Sequence, residues 1–124
     1  LPGDFIHEPS GTLVEVDESQ HFTSFRRISL ELYPEGQELG FSLSEYEALC
    51  DKWSASSDGY FRSKSARCFG DGGRQRQRAY YDSLRDLAPL AMGRPPTVRI
   101  EAAERDAGAA FRRQRNYLLG RLFS

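Results

Sequence analysis

The sequence predicts a small α+β domain: a short antiparallel sheet over about residues 12–43, backed by a helix over about residues 45–54, then an Arg-rich, mostly helical C-terminal half. Three observations point there. Apolar and polar residues alternate through Ile28, Ser29, Leu30, Glu31, Leu32 and Tyr33, the period of a strand with one face turned inward. The spacing then changes to i, i+3, i+4, i+7 at Tyr46, Leu49, Cys50 and Trp53, one face of a helix. Beyond residue 60, Gly and Pro clusters separate two further helical patterns rich in arginine.

Residues 1–10 hold Pro2, Gly3 and Pro9 and read as an extended lead-in. Thr12 to Val16 is a short strand, its β-branched residues flanking Leu13. A hairpin follows in this reading. Phe22, Ile28, Leu30 and Leu32 share the inner face, Pro34-Glu35-Gly36 reverses the chain, and Leu39, Phe41 and Leu43 return. Ser42 with Glu45, or Ser44 with Glu47, supplies a capping box for the next helix, and Phe41 with Tyr46 a hydrophobic staple. Ser54 to Gly59 reads as a break. The segment from Tyr60 to Phe69 fits either a strand or irregular chain, and Gly70 to Gly73 a flexible turn.

A helix from about Arg76 to Leu87 places Tyr80, Leu84 and Leu87 on one face. Pro89 and Gly93-Arg94-Pro95-Pro96 end it as a stiff connector, and Thr97 to Ile100 is extended. The last helix is predicted near Glu101 to Leu122. Its apolar stripe is Phe111, Leu118 and Leu122, with acids early and arginines late, as the helix dipole favours.

The charges are sorted along the chain. Residues 1–60 carry 12 acids and 3 bases, a net of −9; residues 61–124 carry 6 acids and 14 bases, a net of +8. This divides the chain into an acidic hairpin-and-helix body, 1–60, and a basic helical half, 61–124. The bases are 15 Arg and only 2 Lys, and Arg suits bidentate contact with carboxylate or phosphate. No apolar run approaches the roughly 18 residues that span a bilayer. Cys50 and Cys68 read as two free thiols, too few for a disulfide framework or a four-ligand metal site. A chain beginning at Leu1 fits removal of an organellar, mitochondrial presequence.

Two basic constellations are the candidate partner-binding sites. Gly70 to Gly73 precedes Arg74, Arg76 and Arg78, where loop N–H groups and guanidinium groups can clamp an anion. An extended run points these three arginines one way. The second set is Arg112, Arg113 and Arg115, interleaved with Phe111 and Tyr117 on the last helix. His7 and His21 are the only histidines, and neither sits in a metal or nucleophile motif. The expected function is therefore a non-catalytic accessory subunit of a larger assembly, without cofactor or metal. It docks through its basic half on other protein subunits of a hetero-complex or on an anionic lipid surface. The alternative is an RNA- or single-stranded-DNA-binding protein, a ribosomal subunit included, with Tyr80, Tyr81, Phe111 and Tyr117 stacking on bases.

Overall fold

Alternation of small apolar and charged residues is the rule in the two longer strands. Val14 and Val16 alternate with Glu15 and Asp17, and Val98 and Ile100 flank Arg99. The computed structural model, which describes residues 4–60, 73–104 and 106–123, places these segments side by side. Strand β2 (Thr12–Glu18) pairs antiparallel with β1 (Phe5–His7) and parallel with β3 (Val98–Ala102), in the order β1-β2-β3. The chain between β2 and β3 carries helices α1 (Ser24–Glu31), α2 (Leu43–Tyr60) and α3 (Gly73–Ala91), and α4 (Ala107–Leu122) follows β3. The α+β class and the helical C-terminal half are as expected.

The sheet has two unlike faces. Val14, Val98 and Ile100 form one apolar cluster, with Leu118 and Leu122 of α4 packed on it. Glu15, Asp17 and Arg99 point the other way, towards α1 and α3, and all three are buried. Beside them lies the larger core of Phe22, Leu30, Phe41, Tyr46, Cys50 and Ala103.

Several local expectations are corrected. The segment predicted as the first arm of a hairpin is helix α1, capped by Thr23, whose hydroxyl accepts from the Arg26 amide at 3.1 Å. Its buried residues are Phe22 before the helix, then Arg26 and Leu30, a spacing of four. The buried arginine interrupts the apolar pattern and leaves Ile28 and Leu32 to mimic a strand period; in the fold they are 54% and 77% exposed. The sheet therefore recruits β1 and β3 rather than residues 22–43. The Pro34 turn does form: the Gln37 amide donates to the Pro34 carbonyl, and Gly36 has φ +75°.

Helix α2 starts as expected, with Ser42 Oγ accepting from the Glu45 amide and Phe41 and Tyr46 ring centroids 4.6 Å apart. It continues through the supposed break at Ser54 to Gly59, because the polar side chains there find partners. Ser57 Oγ donates to the Ser19 carbonyl at 2.6 Å. Asp58 accepts from the Ser24 amide and from Gln75. The last helix begins later than predicted, at Ala107, where Asp106 caps it by accepting from the Ala109 amide; Glu101 and Ala102 belong to β3. Cys50 is buried and free. The readings of residues 61–69, of Gly70 to Gly72 and of Cys68 lie outside the described residues.

Candidate functional site: a basic cleft on α3 and the charged layer behind it

Helix α3 carries two neighbouring stripes. Gln75, Ala79, Asp82 and Asp86 recur at steps of four and three and are buried. Arg74, Arg78, Tyr81 and Arg85 follow the same steps one residue earlier, and with Gln77 they line an open cleft of about 310 Å³. The helix thus turns carboxylates inward and guanidinium groups along the adjoining face.

The inward carboxylates meet Arg99 of β3. Its Nε donates to Asp86 Oδ1 at 2.6 Å, its Nη1 to both Asp17 oxygens at 2.8 and 3.1 Å, and its Nη2 to the Asp82 carbonyl at 3.1 Å. Arg26 of α1 donates to Asp86 and to the Tyr33 hydroxyl, both at 2.7 Å, and that hydroxyl donates to Asp86 at 2.5 Å. Tyr46 closes the set by donating to Asp17 at 2.8 Å. A buried arginine is tolerable when its N–H groups find acceptors, and Arg99 does so through all three of its nitrogens.

Two links join the buried layer to the cleft. Arg85 Nε lies 3.2 Å from Glu15 Oε1. Arg78 Nη1 lies 3.2 Å from His21 Nε2, while His21 Nδ1 lies 3.0 Å from Asp82 and 3.3 Å from Asp17. Arg78 can only donate, so while it bonds Nε2 the His21 ring is neutral, with its proton on Nδ1 facing Asp82.

The layer's carboxylates are Glu15, Asp17, Asp82 and Asp86, against the guanidinium groups of Arg26, Arg85 and Arg99. It is one positive charge short of neutrality, and its ionisation reflects that. Burial pushes the Glu15 carboxyl up to about 7, against the pull of Arg99 and with a further push from Asp4. Burial alone would lower His21, but Asp17 and Asp82 outweigh it and raise the imidazole above its ordinary value. Burial likewise opposes ionised Asp82, yet Arg99 and His21 hold that carboxyl well below the usual range.

The six arginines of the two candidate sites are not brought together. Arg74 and Arg78 share the cleft. The run containing them is helical rather than extended, so Arg76 departs from the stripe and its guanidinium lies 4.9 Å from the Phe25 ring centroid. Arg112, Arg113 and Arg115 are on α4, which covers the opposite face of the sheet. Arg113 is paired with Glu101 and Glu104. Much of the sorted charge is spent internally, since Arg26, Arg27, Arg85, Arg99 and Arg113 all pair with carboxylates of the chain.

Sequence reasoning missed Glu15, His21, Arg85 and Arg99. The one available signal was the alternation Val14-Glu15-Val16-Asp17 and Val98-Arg99-Ile100, which reads equally well as a strand with its charges in water. A second cleft, of about 440 Å³ and almost wholly apolar, lies between β1 and α4 over Val14 and Val16. Among the described residues no helix is long and apolar enough to cross a membrane, and no His, Cys, Asp and Glu cluster has metal-binding geometry.

The model of a family of unknown function (DUF7255) matches residues 3–120, and the chain belongs to that family. No curated protein matches the chain, and no solved structure does.

Proposed function

We propose that this member of DUF7255 is a non-catalytic accessory unit that docks on an anionic segment of a partner protein through the α3 cleft. The observation that carries the reading is the convergence of Arg74, Gln77, Arg78, Tyr81 and Arg85 in one concavity. All five side chains can donate hydrogen bonds, and none brings negative charge. The stripe from Arg74 to Arg85 runs roughly 17 Å along the helix at 1.5 Å per residue, enough for several carboxylates of a peptide. Arg85 is also braced from behind by Glu15, so less of its side-chain freedom is lost on binding.

A second reading is single-stranded nucleic acid, favoured by Tyr81 lying between arginines where a base can stack. The protein partner is preferred because the chain's net charge is −1 with most acids in residues 1–60, and a polyanion longer than the stripe meets repulsion beyond it.

The test is titration of a labelled decaglutamate peptide and of a single-stranded oligonucleotide against the chain at low and moderate salt. The peptide is expected to bind, and the double variant Arg74→Ala/Arg78→Ala to weaken it by about tenfold or more, since hydrogen bonds to charged groups contribute about 1.5–3 kcal/mol each. Unchanged binding by that variant removes the cleft from the reading. Much tighter binding of the oligonucleotide, with a steep salt dependence, replaces the protein partner with nucleic acid.

A further inference from the structure

We infer that an anionic group entering the α3 cleft draws protons onto the buried His21 and Glu15 behind it, so that the chain grips its partner more tightly at pH 6 than at pH 8. The inference rests on the docking reading above and concerns the regulation of that same site.

The geometry at His21 makes the coupling a matter of hydrogen-bond chemistry. Nε2 accepts from Arg78 Nη1 at 3.2 Å, and a nitrogen that accepts from a guanidinium cannot carry its own proton. Arg78 also lines the cleft. When it turns to a carboxylate there, Nε2 loses its donor and is free to take a proton. The resulting imidazolium still faces Asp17 and Asp82 through Nδ1 at 3.3 and 3.0 Å. The groups facing His21 are therefore Asp17 of β2, with Asp82 and Arg78 of α3.

Glu15 sits in the same relation to Arg85. Its Oε1 is 3.2 Å from Arg85 Nε and is buried without a hydrogen-bond partner among the described residues. Arg85 also lines the cleft, so an anion held by it sets a negative charge one guanidinium away from Glu15. The charged groups facing Glu15 are Asp4, Arg85 and Arg99. Opposing Arg85 with a new anion leaves the carboxylate less compensated, and the proton follows.

Both events have one sign. The complex holds more protons than the free chain, so affinity rises as pH falls through the neutral range. A single proton sets a limit of about tenfold in affinity per pH unit. Because the layer already lacks one positive charge, part of this uptake is satisfied before binding, and about 5- to 20-fold between pH 8 and pH 6 is expected.

The experiment is calorimetric titration of the chain with N-acetylated decaglutamate, whose carboxylates stay ionised from pH 6 to 8, in buffers of low and high ionisation enthalpy. Uptake of roughly half a proton or more at pH 7 is expected, with the His21 ring titrating at higher pH by NMR when peptide is present. The double variant Glu15→Gln/His21→Gln is expected to bind without proton uptake, its fold checked by circular dichroism. Binding of the wild-type chain with equal affinity at both pH values and no proton exchange overturns the linkage and leaves the docking reading intact. Absence of binding at both pH values overturns the two together.

Discussion

Arg99 on β3 and Asp86 on α3 meet at 2.6 Å, Nε to Oδ1, with neither side chain open to solvent. The pair fixes how the third helix lies on the sheet, and through that helix it sets where Arg74, Arg78 and Arg85 stand. A fully buried pair is weak evidence for net stability, because both ions have lost their water. Breaking it from one side is another matter.

Asp86→Ala leaves Arg99 and Arg26 without their shared carboxylate and is expected to cost about 3–5 kcal/mol. Tyr33→Phe removes both a donor to Asp86 Oδ2 and the acceptor of Arg26 Nη1 and is expected to cost about 2 kcal/mol. Urea unfolding of the two variants separates them. Equal small losses would show that the layer is hydrated and that the burial argument is wrong.

Stability should fall as pH rises through neutrality. Glu15 binds its proton more tightly folded than unfolded, with its folded value near 7 against an ordinary 4.5. The folded state therefore loses ground as pH climbs from about 4.5 to 7. His21 is also raised, so its contribution is complete below about 6.5 and fades above. Asp82 is lowered and acts oppositely, its stabilisation disappearing under strong acid. Thermal midpoints should peak near pH 4–4.5, between the acid loss of the Asp82 contribution and the loss of the Glu15 contribution above it. Glu15→Gln should raise stability at pH 8 by up to about 3 kcal/mol and do little near pH 4. A wild-type midpoint that keeps rising to pH 8 would contradict this.

Gly40 has no room for a side chain. A Cβ there would lie 2.3 Å from the Thr97 carbonyl oxygen, where residue 40 bridges to Val98 at the outer edge of β3. The Tyr117 hydroxyl donates to the Gly40 carbonyl, and Arg121 donates to the Leu39 carbonyl at 2.9 Å. Gly40→Ala should destabilise by about 1–3 kcal/mol through backbone displacement. Gly36→Ala, which meets open space but holds φ +75°, should cost less, about 1 kcal/mol. Denaturation midpoints in the reverse order would refute the packing argument.

Cys50 should be inert in the folded chain. It is wholly buried in the main core, and burial pushes its thiol up to about 12, so almost no thiolate exists at neutral pH. A maleimide reagent, followed by peptide mass mapping, should modify Cys50 only after denaturant is added. Rapid native labelling at that position would mean the core opens more readily than its packing implies.

How far the fold was legible follows from where apolar spacing is clean. Tyr46, Leu49, Cys50 and Trp53 announced α2, and Ser42 and Phe41 announced its start, because caps and staples are local. Helix α1 was masked because the middle member of its buried stripe is Arg26, whose partner Asp86 lies 60 residues away. The cleft was half legible. Arg74 and Arg78 were picked out by charge, whereas Gln77, Tyr81 and Arg85 joined them only once the run was known to be helical.

By itself the sequence determined the α+β class, the segregation of acids and bases, and the apolar stripe of α2, all of which depend on neighbours within a few turns. The tertiary structure alone decided which charges face one another. Arg99 and Asp17 are 82 residues apart and meet because β2 and β3 pair in parallel register across three helices. A guanidinium looks the same in a sequence whether it will end in water or in a ring of carboxylates. Only the pairing of distant strands and the seating of α3 distinguish the two, since the energy of a charge depends on its surroundings and not on its place in the chain.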